Sequence, residues 1–366
     1  MSKYSKYVNP LRLWTEMVAP SYRGNRADFS LMFDEQVYPD TPVWIETFHL
    51  FGPGSGAIPS EYPVYFKGKV QDMTGIGQHS HNDFEELFLF YGTNPYDNTR
   101  LGGEVEFWLG HGEDAQKFII NEPTAKWVPA GLAHNPWTVL KVDDPKYPII
   151  LNVIAFTHSY SSDDNTTRDS INYPLPPGFG KENFGKPFPG KGLYNKYVKK
   201  IPFADDRVFP WHRGRVAVPT LTFDAKVIPN VPLWVEIFHV YAGGSGIGIP
   251  NLEARQWMPD GSVKDLTKGY SNNHSFDEIF LFLPTNPHDT LNLGGEVHTW
   301  LGETAETREK FVFNKSTGVY VPGNMFHNPQ YFKRVDKPFI MLVLALTNNY
   351  FSSSKDWIPL PSDFEW

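Results

Sequence analysis

The sequence contains no cysteine. That excludes disulfides, thiolate metal sites and a cysteine nucleophile, so any metal must be held by imidazole and carboxylate. No apolar stretch approaches the roughly 20 residues that cross a bilayer as a helix. The opening MSKYSKYVNP is polar and has no apolar signal core, so a soluble, cytoplasmic protein is expected. Runs of Lys or Arg long enough to follow a phosphate backbone are missing, and 33 basic residues stand against 41 acidic ones for a formal charge of −8. Both facts argue against nucleic acid as a partner. Helix-period patterns are scarce as well, and the best of them, Leu11 to Val18, is short.

Aromatic side chains make up 16% of the chain, and it holds 30 Gly and 32 Pro. Segments such as VWIETFHLF, EELFLFY, GEVEFWLG, AKWVPAG and PIILNVIAF have strand length, β-branched and aromatic content, and turn residues at their ends. These features predict an all-β protein, a barrel or sandwich of antiparallel strands.

The chain is a tandem duplication. YSKYV at Tyr4 recurs as YNKYV at Tyr194, and WIETFHLFGPGSG from Trp44 recurs as WVEIFHVYAGGSG from Trp234, both at an offset of 190. The offset becomes 192 where FEELFLFYGTNPYD meets FDEIFLFLPTNPHD, then 193 where VPAGLAHNP meets VPGNMFHNP, and returns to 190 where AFTHSY meets ALTNNY. Between the copies, PPGFGKENFGKPFPGKG breaks both periodicities and reads as a linker. The expected units are residues 1–190 and 191–366.

Residues 78 to 90 read QHSHNDFEELFLF, two imidazoles and two carboxylates at the mouth of an apolar strand. Side chains two apart on a strand share a face, which brings His79 and His81 together with Cα atoms roughly 7 Å apart. The second copy has Asp277 opposite Glu85 but keeps Glu278 opposite Glu86, which selects Glu86 as the functional carboxylate. Far along the chain, Pro129-x-Gly131-x-x-His134 supplies a third imidazole behind a turn. Three imidazoles and one carboxylate suit Mn, Fe, Zn, Ni or Cu and fit Ca or Mg poorly.

This arrangement resembles the cupin superfamily. Its first motif is Gly, five residues, His-x-His, three or four residues, Glu, then Gly, and its second is Gly, five residues, Pro-x-Gly, two residues, His, three residues, Asn. His79, His81, Glu86, Pro129, Gly131 and His134 match, and the duplication makes the chain similar to the bicupins over nearly its whole length. The resemblance implies two tandem double-stranded β-helix (jelly-roll) barrels. The motifs depart from the pattern in an insertion that displaces the closing Gly to Gly103, and in the missing terminal Asn. The second copy has Asn272 for the first His, then His274, Glu278 and His327, with Asn324 in place of the turn Gly. Two His and one carboxylate are enough for a second metal site with open positions; a site decayed to structure is the alternative.

The first-copy set His79, His81, Glu86 and His134 predicts a centre for a divalent transition metal, Mn, Fe or Zn first. Glu46 and His49 recur as Glu236 and His239 and are candidate proton-transfer residues beside Glu86. Glu46 shares strand parity with Trp44 and Phe48. The expected function is metal-assisted C–C bond cleavage of a small polyoxygenated substrate, a cyclic diketone or an aromatic-derived molecule, by dioxygenase or hydrolase chemistry. Isomerase or decarboxylase activity is a second reading, and a non-catalytic binding or storage bicupin a third. Whether the copies pack within one chain or across a homo-oligomer is open at this level.

Overall fold

The computed structural model describes all residues except 1, 15–16, 19–21, 24–29, 58–63, 67–68, 72–75, 161–169, 205–219, 251–254, 258–262, 266, 349, 351–355 and 366. Among the described residues the helical elements are four three-residue turns, and everything else regular is strand. The stretch expected to be weakly helical contains strands Arg12–Leu13 and Met17–Val18 instead; tertiary pairing of Arg12 with Met32 overrides the local pattern. No described helix is long and apolar enough to cross a membrane.

Each copy builds two facing antiparallel sheets. In the first copy the inner sheet runs Thr124–Val128, Glu86–Gly92, Ile149–Ala155, Trp44–Leu50, Leu31–Phe33. The outer one runs Gln116–Ile120, Gly103–Leu109, His134–Val142, Ile76–His81, Ser170–Pro174. The second copy repeats the plan, with Glu278–Pro284 and Phe339–Ala345 at the middle of its inner sheet. These are two tandem cupin barrels.

Strand parity explains why the inner strands are apolar throughout. Phe88 and Phe90 face the interior of the first barrel with Phe48, Phe107 and Trp137. Leu87, Leu89 and Tyr91, on the opposite face, join Ile279, Leu281 and Leu283 of the second copy in one shared core. The two inner sheets therefore bury both their faces, one around each barrel and one against each other, and alternation of polar and apolar residues is lost. Trp127 belongs to the shared core rather than the barrel interior.

The sheets do not divide at residue 190. Strand Val8–Pro10 pairs with Thr317–Val321 of the second copy, and Val198–Lys200 pairs with Thr124–Val128 of the first. Each copy thus closes the other's inner sheet with its first strand.

The Gly/Pro-rich segment between the copies is strapped to the outer sheet of the first barrel. Lys117 Nζ donates to the Asn183 carbonyl at 2.8 Å and lies 3.1 Å from Glu106 Oε2, which also accepts from the Gly185 amide at 2.8 Å. Both charged side chains are almost fully buried. Replacing Lys117 by Met leaves Glu106 buried without its cation and is expected to cost about 3 kcal/mol. Urea unfolding should show this loss, with protease cutting between residues 176 and 192; adding Glu106→Leu should recover much of the stability.

Candidate metal centre

His79 and His81 end strand Ile76–His81, Glu86 opens Glu86–Gly92, and His134 opens His134–Val142. His79 is paired directly with His134 across the outer sheet. The turn that delivers His134 needs a left-handed residue at Gly131, φ 80°, whose amide donates to the His81 carbonyl at 2.6 Å and ties the turn to the first motif. In the second copy Asn324 takes that place at φ 67° and its amide makes the same 2.6 Å bond to His274. Asn tolerates the left-handed region better than other non-glycine residues, which is why the turn survives the substitution.

The structure brings the three imidazoles together and sets Glu86 against two of them, His134 and His81. One ring nitrogen from each of His79, His81 and His134 lies within 4.8 Å of the others. Glu86 Oε2 is 2.8 Å from His134 Nε2 and 3.8 Å from His81 Nε2. Burial pushes all three imidazoles down to about 3, which keeps them neutral and able to ligate.

Hydrogen bonding argues for a cation at this point. His134 Nδ1 is 3.1 Å from the Leu132 carbonyl, and since a carbonyl only accepts, Nδ1 carries the proton. The lone pair of Nε2 then faces the carboxylate oxygen, and neither Glu86 Oε2 nor His134 Nε2 has a hydrogen-bond partner. Two buried electron pairs held face to face repel unless they share a positive charge, a proton or a metal ion. A divalent transition metal fits this donor set, with His79 and His81 completing its protein ligands.

In the second copy His274, Glu278 and His327 are likewise buried, with ligand atoms within 4.8 Å of one another. His274 Nδ1 donates to the Phe276 carbonyl at 2.7 Å and His327 Nδ1 to the Met325 carbonyl at 3.1 Å. Their Nε2 atoms approach Glu278 Oε2 at 3.1 and 3.2 Å. Asn272 pairs with His327 as His79 pairs with His134, and its Oδ1 accepts from Asn328 Nδ2 at 2.7 Å. A cavity between Glu236, Tyr270, Tyr350 and Trp357 reaches this cluster, and its free space of about 20 Å³ holds one or two waters.

Glu46 and His49 separate. Glu46 sits on the barrel side of its strand, paired with Val153, and Ser30 Oγ donates to its Oε1. Its repeat partner Glu236 lines the cavity of the second barrel. His49 has the opposite parity and is buried between the barrels, its Nε2 2.7 Å from the Pro284 carbonyl. His239 mirrors it on the Gly92 carbonyl, also at 2.7 Å. The structure does not bring His49 to the cluster; as a proton-transfer group it is displaced to the interface by a single step of strand register.

Two residues escaped sequence reasoning. Tyr160 places its hydroxyl 3.1 Å from His81 Nε2 and stacks on Trp44, and Tyr350 stacks on Trp234 in the same way. Their recurrence at an offset of 190 was the available signal. Lys126 lies wholly inside the first barrel, a cation in the strand AKWV where the second copy has Val319.

Two jelly-roll barrels with a His/carboxylate cluster at corresponding strand ends define the bicupin fold. No family model matches the sequence, and no curated protein does. Among solved structures the chain is similar to a variant of Bacillus subtilis oxalate decarboxylase OxdC, at 11% identity and TM-score 0.50, over 96% of this chain and 79% of that one. It is also similar to Lactobacillus farciminis oxalate decarboxylase in complex with formate, at 12% identity and TM-score 0.49, over 96% and 88%. At such identities the likeness describes the fold.

Proposed function

We propose that the protein is a metal-dependent enzyme that cleaves a C–C bond of a small polyoxygenated substrate, with the chemistry at His79, His81, Glu86 and His134. The observation that carries this is the unpartnered pair Glu86 Oε2 and His134 Nε2, 2.8 Å apart in a buried site. When bound, a divalent Mn, Fe or Zn supplies Lewis-acid polarisation of substrate oxygens and, for the first two, redox capacity. The chain supplies the rest. Phe84 stacks on His81 at 4.4 Å and Phe88 packs against His134 at 5.9 Å, an apolar wall that excludes water. Tyr160 offers a hydroxyl beside His81 for a substrate oxygen, and Glu46, on the inner face, takes up or returns a proton.

The second cluster, His274, Glu278 and His327, holds a metal of the same class and serves the same fold with fewer ligands. The first cluster has one imidazole more, which favours the first barrel as the reacting one.

Oxygen uptake by iron- or manganese-loaded protein with a panel of diketones and catechols tests the oxidative branch; turnover without oxygen would overturn that branch in favour of hydrolytic or decarboxylating cleavage. Glu46→Gln should lower turnover at least about tenfold with metal content unchanged. A purified protein free of metal, whose stability ignores chelators, would replace the enzyme with a binding or storage protein.

A further inference from the structure

The second layer of the first barrel contains a charge that the fold does not require. Lys126 is paired with Phe88, one step below the pair Glu86 and Val128, and its side chain is fully buried. Its Nζ has no hydrogen-bond partner. The ammonium lies 3.3 Å from the centroid of Phe88 and 5.2 Å from that of Phe107, and the Phe88 ring packs in turn against His134. In the second barrel the corresponding pair is Phe280 and Val319, with Val319 equally buried. An apolar residue therefore satisfies this position in the same architecture.

Cation–π contact offsets only part of the cost of burying an ammonium. Where a fold has an apolar solution and the chain keeps an unpaired charge, the charge answers to something that is not in the apo structure. Desolvation pushes Lys126 down to about 7 while the nearby Glu86 carboxylate opposes the fall; an ionised oxygen brought beside Nζ would favour the ammonium form over the neutral amine.

We propose that Lys126 is the anion anchor of the first barrel, holding an ionised oxygen of a small carboxylate or enolate whose other oxygens reach the His79/His81/Glu86/His134 centre. This deepens the reading of that centre as a metal site and rests on it. The four rotatable bonds of the lysine let Nζ leave the Phe88 face and meet a ligand entering from the histidine end. A neutral polyol gains nothing from such a group; a substrate with an ionised oxygen exchanges an aromatic face for a charge-assisted hydrogen bond.

Malonate serves as the probe and malonamide as its uncharged counterpart, with ligand-dependent melting as the readout on the full chain. Lys126→Met, and Lys126→Val copied from the second barrel, should both melt above wild type without ligand, because each removes an unpaired buried charge. Malonate should raise the wild-type melting temperature at a half-saturating concentration at least about tenfold below that of either variant. Malonamide should not distinguish the three. Equal malonate dependence in wild type and variants, no response in wild type, or variants that melt below wild type would each overturn the anchor. Metal analysis of the same samples judges the centre separately: wild type that retains no divalent metal yet keeps the malonate preference sinks the metal reading and leaves the anchor standing.

Discussion

His134→Ala empties the first centre of metal and lowers turnover at least about 100-fold, whereas His327→Ala empties only the second. The magnitude is a lower bound, because disturbing a group that merely orients a ligand already costs 10–100-fold in metal affinity or activity, and His134 is proposed as a ligand itself. Its Nδ1 is fixed by the Leu132 carbonyl and its Nε2 is aimed at Glu86. Truncation removes a donor that no neighbour can replace: His79 and His81 are held by their own strand, and Tyr160 contacts His81. The second centre starts with one imidazole fewer, so loss of His327 leaves only His274 and Glu278 there. Metal per chain measured by elemental mass spectrometry should fall in each variant, and kcat/KM should fall in the first. Unchanged metal in His134→Ala would sink the four-ligand assignment.

The metal-free protein should lose stability steeply as pH falls below about 6.5, with His49 and His239 contributing down to about 4 and the cluster imidazoles His79, His81 and His134 down to about 3. Each imidazole is buried between the barrels, with burial pushing it down to about 4 while its bond to Pro284 or Gly92 opposes the shift. Nε2 donates to the carbonyl and Nδ1 has no partner, so a second proton would sit buried with nothing to accept it. In the unfolded chain the same residues titrate near 6.5. Their neutral forms therefore contribute fully above pH 6.5, and the contribution is lost as pH falls through the window down to 4, with stability flat in this respect below it. The shift corresponds to roughly 3 kcal/mol for each histidine. Denaturant unfolding followed across this range should show the slope, and His49→Gln with His239→Gln should make it shallower. A double variant with the wild-type slope would remove the pair from the acid response. The four carbonyl and imidazole partners form a reciprocal clasp between the copies, so the single variants should behave alike.

The contrast between Glu46 and His49 shows where sequence stops. Both recur in the second copy, both are buried, and three positions separate them on one strand. Parity places them on opposite faces, but it does not say which face lines the barrel, because Phe48 and Ile45 are equally apolar and both faces are covered. The usual polar-out signal is missing from any strand buried twice.

The sequence by itself determined the duplication, the all-β class and the candidate ligands His79, His81, Glu86 and His134, since each depends on short-range spacing or on a period-two pattern that survives in one dimension. Tertiary structure decided the rest. It closed each inner sheet with the other copy's first strand, turned His49 into the interface, bound the intervening Gly/Pro segment to Glu106 and Lys117, and enclosed Lys126 beneath the metal ligands. Those outcomes depend on which surfaces meet across more than a hundred residues of chain, a matter of packing two sheets together that no local periodicity encodes.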